Sequence, residues 1–148
     1  VTMENLFSRL LIPVDGSPNA LKAGRYALRL ARQQGCEAFA VHVVDEENAD
    51  DLSRYADQPR EEIVARMVRS GEGYLDELRG QARELGVRLR AEVRVGVPHR
   101  TLLEMAEEIN ADLIVIGTFG RRGPRRVLVG SVTERVIAHA AVPVLVVK

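Results

Sequence analysis

Apolar residues along this chain gather into five short runs, separated by longer segments in which apolar positions recur every three to four residues. Residues 10–14 (Leu-Leu-Ile-Pro-Val), 113–116 (Leu-Ile-Val-Ile) and Val144–Val147 are apolar throughout, and 38–44 is apolar except for His42. Short β-branched runs bounded by turn formers predict strands buried on both faces, as in a parallel sheet. The fifth run, 87–95, alternates Val87, Leu89, Ala91, Val93 and Val95 with Arg88, Arg90, Glu92 and Arg94. One face meets the core and the other water, which predicts an edge strand.

The segments between the runs read as helices. Residues 18–34 carry Leu21, Gly24, Leu28 and Ala31 at helical spacing, with Ser17 as N-cap, Pro18 at the first helical position and Gly35 as a left-handed stop. Residues 60–85 are amphipathic through Ile63, Met67, Tyr74, Leu75 and Leu78 and close at Gly86, while Gly71 and Gly73 are expected to bend or interrupt them. Residues 98–110 turn Leu102, Leu103, Ala106 and Ile109 inward. A last helix spans 131–140, with Ser131 as its N-cap and Glu134 completing a capping box. The acidic stretch 45–59 is expected as a surface excursion, since its carboxylates lack the spacing and glycine of a calcium loop. Pro13 conflicts with a central strand unless that strand is locally irregular.

Strands alternating with helices across short connections imply right-handed βαβ units and an open, mostly parallel α/β sheet with helices on both faces. Ligands of such sheets settle beyond the carboxyl ends of the strands, where the strand order reverses.

Composition narrows the picture. At 148 residues the chain suits one domain over 1–148, with 1–8 as a flexible N-terminal segment. Lys plus Arg number 21 and Asp plus Glu number 21, so the chain offers no overall basic field for nucleic acid or a membrane surface. The single cysteine, Cys36, excludes an intramolecular disulfide. With no secretory h-region and no apolar stretch of membrane-spanning length, a cytoplasmic protein is expected. His42, His99 and His139 are scattered, with His42 read as a satisfied core residue. No nucleophile elbow, zinc ligand set or paired carboxylates appear, so no catalytic residue is assigned.

The chemistry concentrates after the fourth run. Gly117, Gly120, Gly123 and Gly130-Ser131 lie between a strand end and a helix start, where backbone N–H groups and the helix dipole can meet one anion. Glycines also simply end strands, so the pattern alone leaves a phosphate seat and a bare turn both open. It is neither a Walker A loop nor a G-x-G-x-x-G dinucleotide fingerprint. Arg121, Arg122, Arg125 and Arg126 reach phosphate oxygens, form a solvated loop or, as a third and weaker option, meet a small anionic partner such as nucleic acid.

The spacing Gly117-x-x-Gly120, nine residues, Gly130-Ser131 resembles the nucleotide-binding signature of the universal stress protein family, in its ATP-binding branch. The likeness runs over residues 10–148. It implies a Rossmann-like adenine-nucleotide-binding fold, a five-stranded parallel sheet in the order 3-2-1-4-5, which sets Asp15 beside Gly117. Adenine would lie against the main chain of Pro13, Val14 and Val43, with Asp15 near the sugar or phosphates, acting through magnesium. The triphosphate of ATP would lie over Gly117, Gly120 and Gly130, with Ser131, Val132 and Thr133 supplying N–H groups and two hydroxyls, and AMP, ADP or cyclic AMP would suit the same contacts. The resemblance also implies a homodimer, Val144–Val147 pairing antiparallel with its own copy. The implied function is a nucleotide-dependent regulatory module in stress response. Its alternatives are a slow ATPase or phosphotransfer enzyme at the same site, and a structural dimerisation module that binds no nucleotide.

Overall fold

The computed structural model describes residues 5–118 and 129–148. Strands β1 (Arg9–Pro13), β2 (Glu37–Asp45), β3 (Leu89–Gly96), β4 (Leu113–Gly117) and β5 (Val144–Val147) alternate with helices α1 (Pro18–Gln34), α2 (Glu46–Ala56), α3 (Arg60–Leu85), α4 (Pro98–Glu108) and α5 (Ser131–His139). The strands form one parallel sheet in the order β3-β2-β1-β4-β5. The chain builds outward from β1 in one direction and then returns to its other side at β4, so the order reverses between these two strands.

Alternation along each strand feeds two cores. Leu10, Ile12, Ala38, Ala40, Leu113 and Val115 face α1 and α3, meeting Ala23, Ala27, Leu28, Leu75 and Leu78. Leu11, Phe39, Val41, Ile114 and Ile116 face the other way, toward Leu102, Met105 and Ala106 of α4 and Val136 of α5. Small residues on α1 let it lie close to its neighbours, and a Cβ at Gly24 would stand 2.7 Å from Leu78 Cδ2. Ser17 caps α1 by accepting from the Ala20 N–H at 3.1 Å, and Gly35 ends it at φ 63°.

Three expectations are corrected. The acidic stretch taken for a surface excursion contains α2, because its carboxylates act as helix-start signals: Asp45 accepts from the Glu47 N–H at 3.1 Å and Glu46 and Glu47 occupy the first turn. Ala49 is the buried residue of this helix, so its apolar periodicity is faint. Neither Gly71 nor Gly73 interrupts α3, and Gly71 instead marks a close approach, where a Cβ would lie 2.4 Å from His42 Cδ2. Gly130, not Ser131, is the N-cap of α5. At the start of β1 and just before it, Asn5 and Leu6 bond to Gln34, and the Ser8 and Arg9 N–H groups donate to Asp112 at 2.7 and 3.1 Å.

Leu78 is fully buried between α1 and α3. Leu78→Ala should lower unfolding free energy by about 2–5 kcal/mol, read from the shift of the urea midpoint at unchanged slope.

Candidate functional site

The site begins with a donor that is missing. Val14 N–H donates to Val41 O at 2.8 Å, so even-numbered residues at this end of β1 turn their main-chain groups to β2 and odd-numbered ones to β4. Pro13 therefore withholds its N–H from the β4 side. The β1–β2 pairing continues to Pro13–Val41, whereas the β1–β4 pairing stops at Leu11–Ile114. The proline that conflicted with a central strand is accommodated because the paired register of β1 with β4 ends before it, so its missing N–H interrupts no pair between them.

Two loops flank this switch point of the sheet. On the β1 side, Asp15 Oδ1 accepts from the Ser17 N–H at 2.9 Å, and Gly16 adopts φ 82° beneath Tyr74, whose ring carbons would lie 2.5–2.7 Å from any Cβ there. On the β4 side, a Cβ at Gly117 would stand 3.0 Å from the main chain of Asn19, so the first turn of α1 presses on the end of β4. The Gly130 N–H donates to Thr118 O at 2.6 Å, and the Thr133 hydroxyl donates to Gly117 O at 2.8 Å, tying the start of α5 to the same strand end. The N-termini of α1 and α5 thus reach this point from opposite faces of the sheet. Both present the positive ends of their dipoles.

The fold brings Pro13, Val14, Asp15, Gly117, Gly130, Ser131, Val132 and Thr133 to one end of the sheet, and Val43 lies on β2 just past the last β1–β2 pair. Gly120, Arg121 and Arg122, with Gly123, Arg125 and Arg126, lie outside the described residues. Four of these residues have local roles in the fold. Gly130 takes the cap of α5 in an extended conformation, and its carbonyl accepts the first helical bond from Glu134 N–H at 2.9 Å. Ser131 is exposed and occupies the first helical position rather than the cap. Thr133 is 4% exposed and its one hydroxyl hydrogen is committed to Gly117, so it fastens the loop rather than donating to a ligand. Asp15 closes the β1–α1 turn through one carboxylate oxygen.

Sequence reasoning missed a cluster behind the β1 loop. His42 is half-buried as a satisfied residue, its Nδ1 2.7 Å from the Val14 carbonyl and its ring edge-on to Tyr74. The available signal was slight: a histidine in an apolar strand, and Gly71 one helical turn before Tyr74. His99 and His139, scattered in sequence, line one groove between α4 and α5, a hollow of about 260 Å³ that includes Arg100, Leu103, Glu104 and Glu107. Burial, with Arg135, Arg100 and His139 nearby, pushes the His99 pKa down. Burial and the Asp112 carboxylate push the Cys36 thiol up, away from reactivity. Among the described residues, no group of three or more His, Cys, Asp or Glu side chains could hold a metal ion. No helix among them is long and apolar enough to cross a membrane.

This geometry defines a doubly wound α/β protein whose strand order reverses between two helix N-termini. Residues 6–148 match the model of the universal stress protein family, and the chain belongs to that family. It is 40% identical over 149 residues to Universal stress protein MJ0531 of Methanocaldococcus jannaschii, covering 98% of this chain and 84% of that protein. The solved structure of MJ0577, from the same organism, shares 26% identity at a TM-score of 0.85, covering 97% of this chain and 96% of the other. A universal stress protein solved in complex with cAMP shares the fold at 24% identity and a TM-score of 0.67, covering 96% and 97%.

Thr133→Val preserves shape but removes the donor to Gly117 O. It should lower stability by about 1–3 kcal/mol in chemical denaturation, the cost of a buried carbonyl left without its partner.

Proposed function

We propose that this chain is an ATP-binding, homodimeric universal stress protein whose nucleotide state alters its contacts with partners. The observation that supports this reading is the reversal of strand order between β1 and β4, where two strand-end loops and the N-termini of α1 and α5 come together. Adenine lies on the Val14 and Val43 side, against main chain. The phosphates lie toward Gly117, Gly130 and the exposed Ser131, where N–H groups and two dipoles favour negative charge. Gly120, Arg121 and Arg122, outside the described residues, are assigned to the phosphates by the sequence signature alone. Magnesium accompanies the phosphates, and Asp15, already accepting from the Ser17 N–H, acts on it at a distance.

The two sheet edges support self-association through β5. β3 guards its edge with charge: Arg88 pairs with Glu37 at 2.9 Å, and Arg94 pairs with Glu92 at 2.9 Å and Glu108 at 2.7 Å. β5 is Val-Leu-Val-Val, with no charged residue within it. Thr118 N–H donates to Val147 O and Ile114 N–H to Pro143 O, so odd-numbered residues of β5 face β4 and the Val146 N–H faces outward. That outward row pairs antiparallel with a second copy.

Calorimetric titration with ATP should show saturable binding, with cAMP as the competitor to compare. Gly120→Val should abolish it while circular dichroism stays native. Undiminished ATP affinity in that variant would sink the phosphate-loop assignment. Val146→Pro removes an outward donor but spares the β4 ladder, and it should convert dimer to monomer in analytical ultracentrifugation with ATP binding retained. A dimer that survives this substitution rules out pairing through β5.

A further inference from the structure

We infer that His42 and Tyr74 are positioning residues for the adenine half of the site, a role that rests on the nucleotide reading and specifies how its main-chain contacts are aimed. The Val14 carbonyl can only accept, so the His42 Nδ1 at 2.7 Å donates to it. In a regular parallel continuation past Pro13–Val41, that carbonyl would next meet the Val43 N–H. The imidazole takes that place. Val43 N–H is thereby left unclaimed by Val14, and a main-chain donor of this kind suits a ring nitrogen of adenine.

The same bond sets a second direction. The chain has no cis peptide bonds among the described residues, and a planar trans peptide carries its C=O and N–H on opposite sides. Holding the Val14 carbonyl toward β2 turns the Asp15 N–H toward β4, across the switch point. One side chain therefore orients main-chain groups on both sides of the place assigned to the ligand.

Helix α3 fixes that side chain from behind. Tyr74 meets the His42 ring edge-on, with centroids 5.3 Å apart at 74°, and it also covers Gly16. Gly71 admits the imidazole, since a Cβ there would lie 2.4 Å from His42 Cδ2. A grip spaced one helical turn along α3 thus holds both the ring and the β1–α1 turn.

Two substitutions separate positioning from packing. His42→Phe keeps a ring for Tyr74 but loses the donor, whereas His42→Asn loses the ring but keeps an amide nitrogen close to the Nδ1 position. By calorimetry, the Phe variant should bind ATP and adenosine about tenfold more weakly and the Asn variant within about twofold of wild type. Affinity for inorganic tripolyphosphate should be unchanged in both. A purely structural role predicts the reverse order, and that order, or an equal loss for tripolyphosphate, overturns the inference. Should the Phe variant prove unfolded by circular dichroism, Gly71→Ala, which crowds the imidazole from α3, should show the same selective loss of adenosine affinity. Retained adenosine affinity there overturns the inference too. If wild type binds ATP and both His42 variants match it, only the positioning role fails. If wild type binds no adenine nucleotide, the nucleotide reading falls and takes this role with it.

Discussion

A backbone N–H that Pro13 cannot supply shapes the carboxyl end of the sheet. Parallel strands hold together through alternating donors, and on β1 the donor due at position 13 would have faced β4. That ladder ends at Leu11–Ile114, while the ladder to β2 runs on. The order of the sheet reverses between these two strands, which makes their carboxyl ends the switch point of the fold. Several contacts fix its rims: Asp15 to Ser17 on one side, Thr133 to Gly117 and Gly130 to Thr118 on the other.

Glycine serves these rims chiefly through close approach. At Gly16 the backbone is left-handed and a tyrosine ring occupies the place of a side chain. At Gly71 an imidazole does so. At Gly117 the neighbouring atoms are the main chain of α1, so this glycine lets a helix N-terminus reach the strand end. A glycine pattern that reads as a ligand signature is therefore partly an assembly signature. Both meanings meet here, because the elements it brings together are the ones whose dipoles and N–H groups face the switch point.

The periphery follows a different logic. Charge is laid along the β3 edge, where Arg94 bridges strand and helix between Glu92 and Glu108 and hydrogen bonding to Glu108 raises its pKa. Such exposed pairs contribute little stability, and their clearer effect is to discourage strand addition at that edge. The β5 edge lacks this guard within the strand, and the asymmetry gives the proposed dimer its direction.

Much of the architecture was legible from residues alone. Five apolar runs, their β-branched composition and the punctuation at Ser17-Pro18, Gly35 and Gly86 determine strands and helices, because periodicity and capping act within a few residues. The family resemblance supplied the strand order, which local patterns cannot. α2 escaped because a helix that buries little beyond Ala49 leaves almost no apolar period. The commitment of the Thr133 hydroxyl and the His42–Val14 bond escaped for another reason: each joins distant parts of the chain, and partners so far apart leave no mark on either local sequence. Sequence thus determined which residues could form a phosphate-facing turn. Tertiary structure decided which of their groups stay available, because a hydroxyl, carbonyl or N–H is assigned only when the element opposite it is in place.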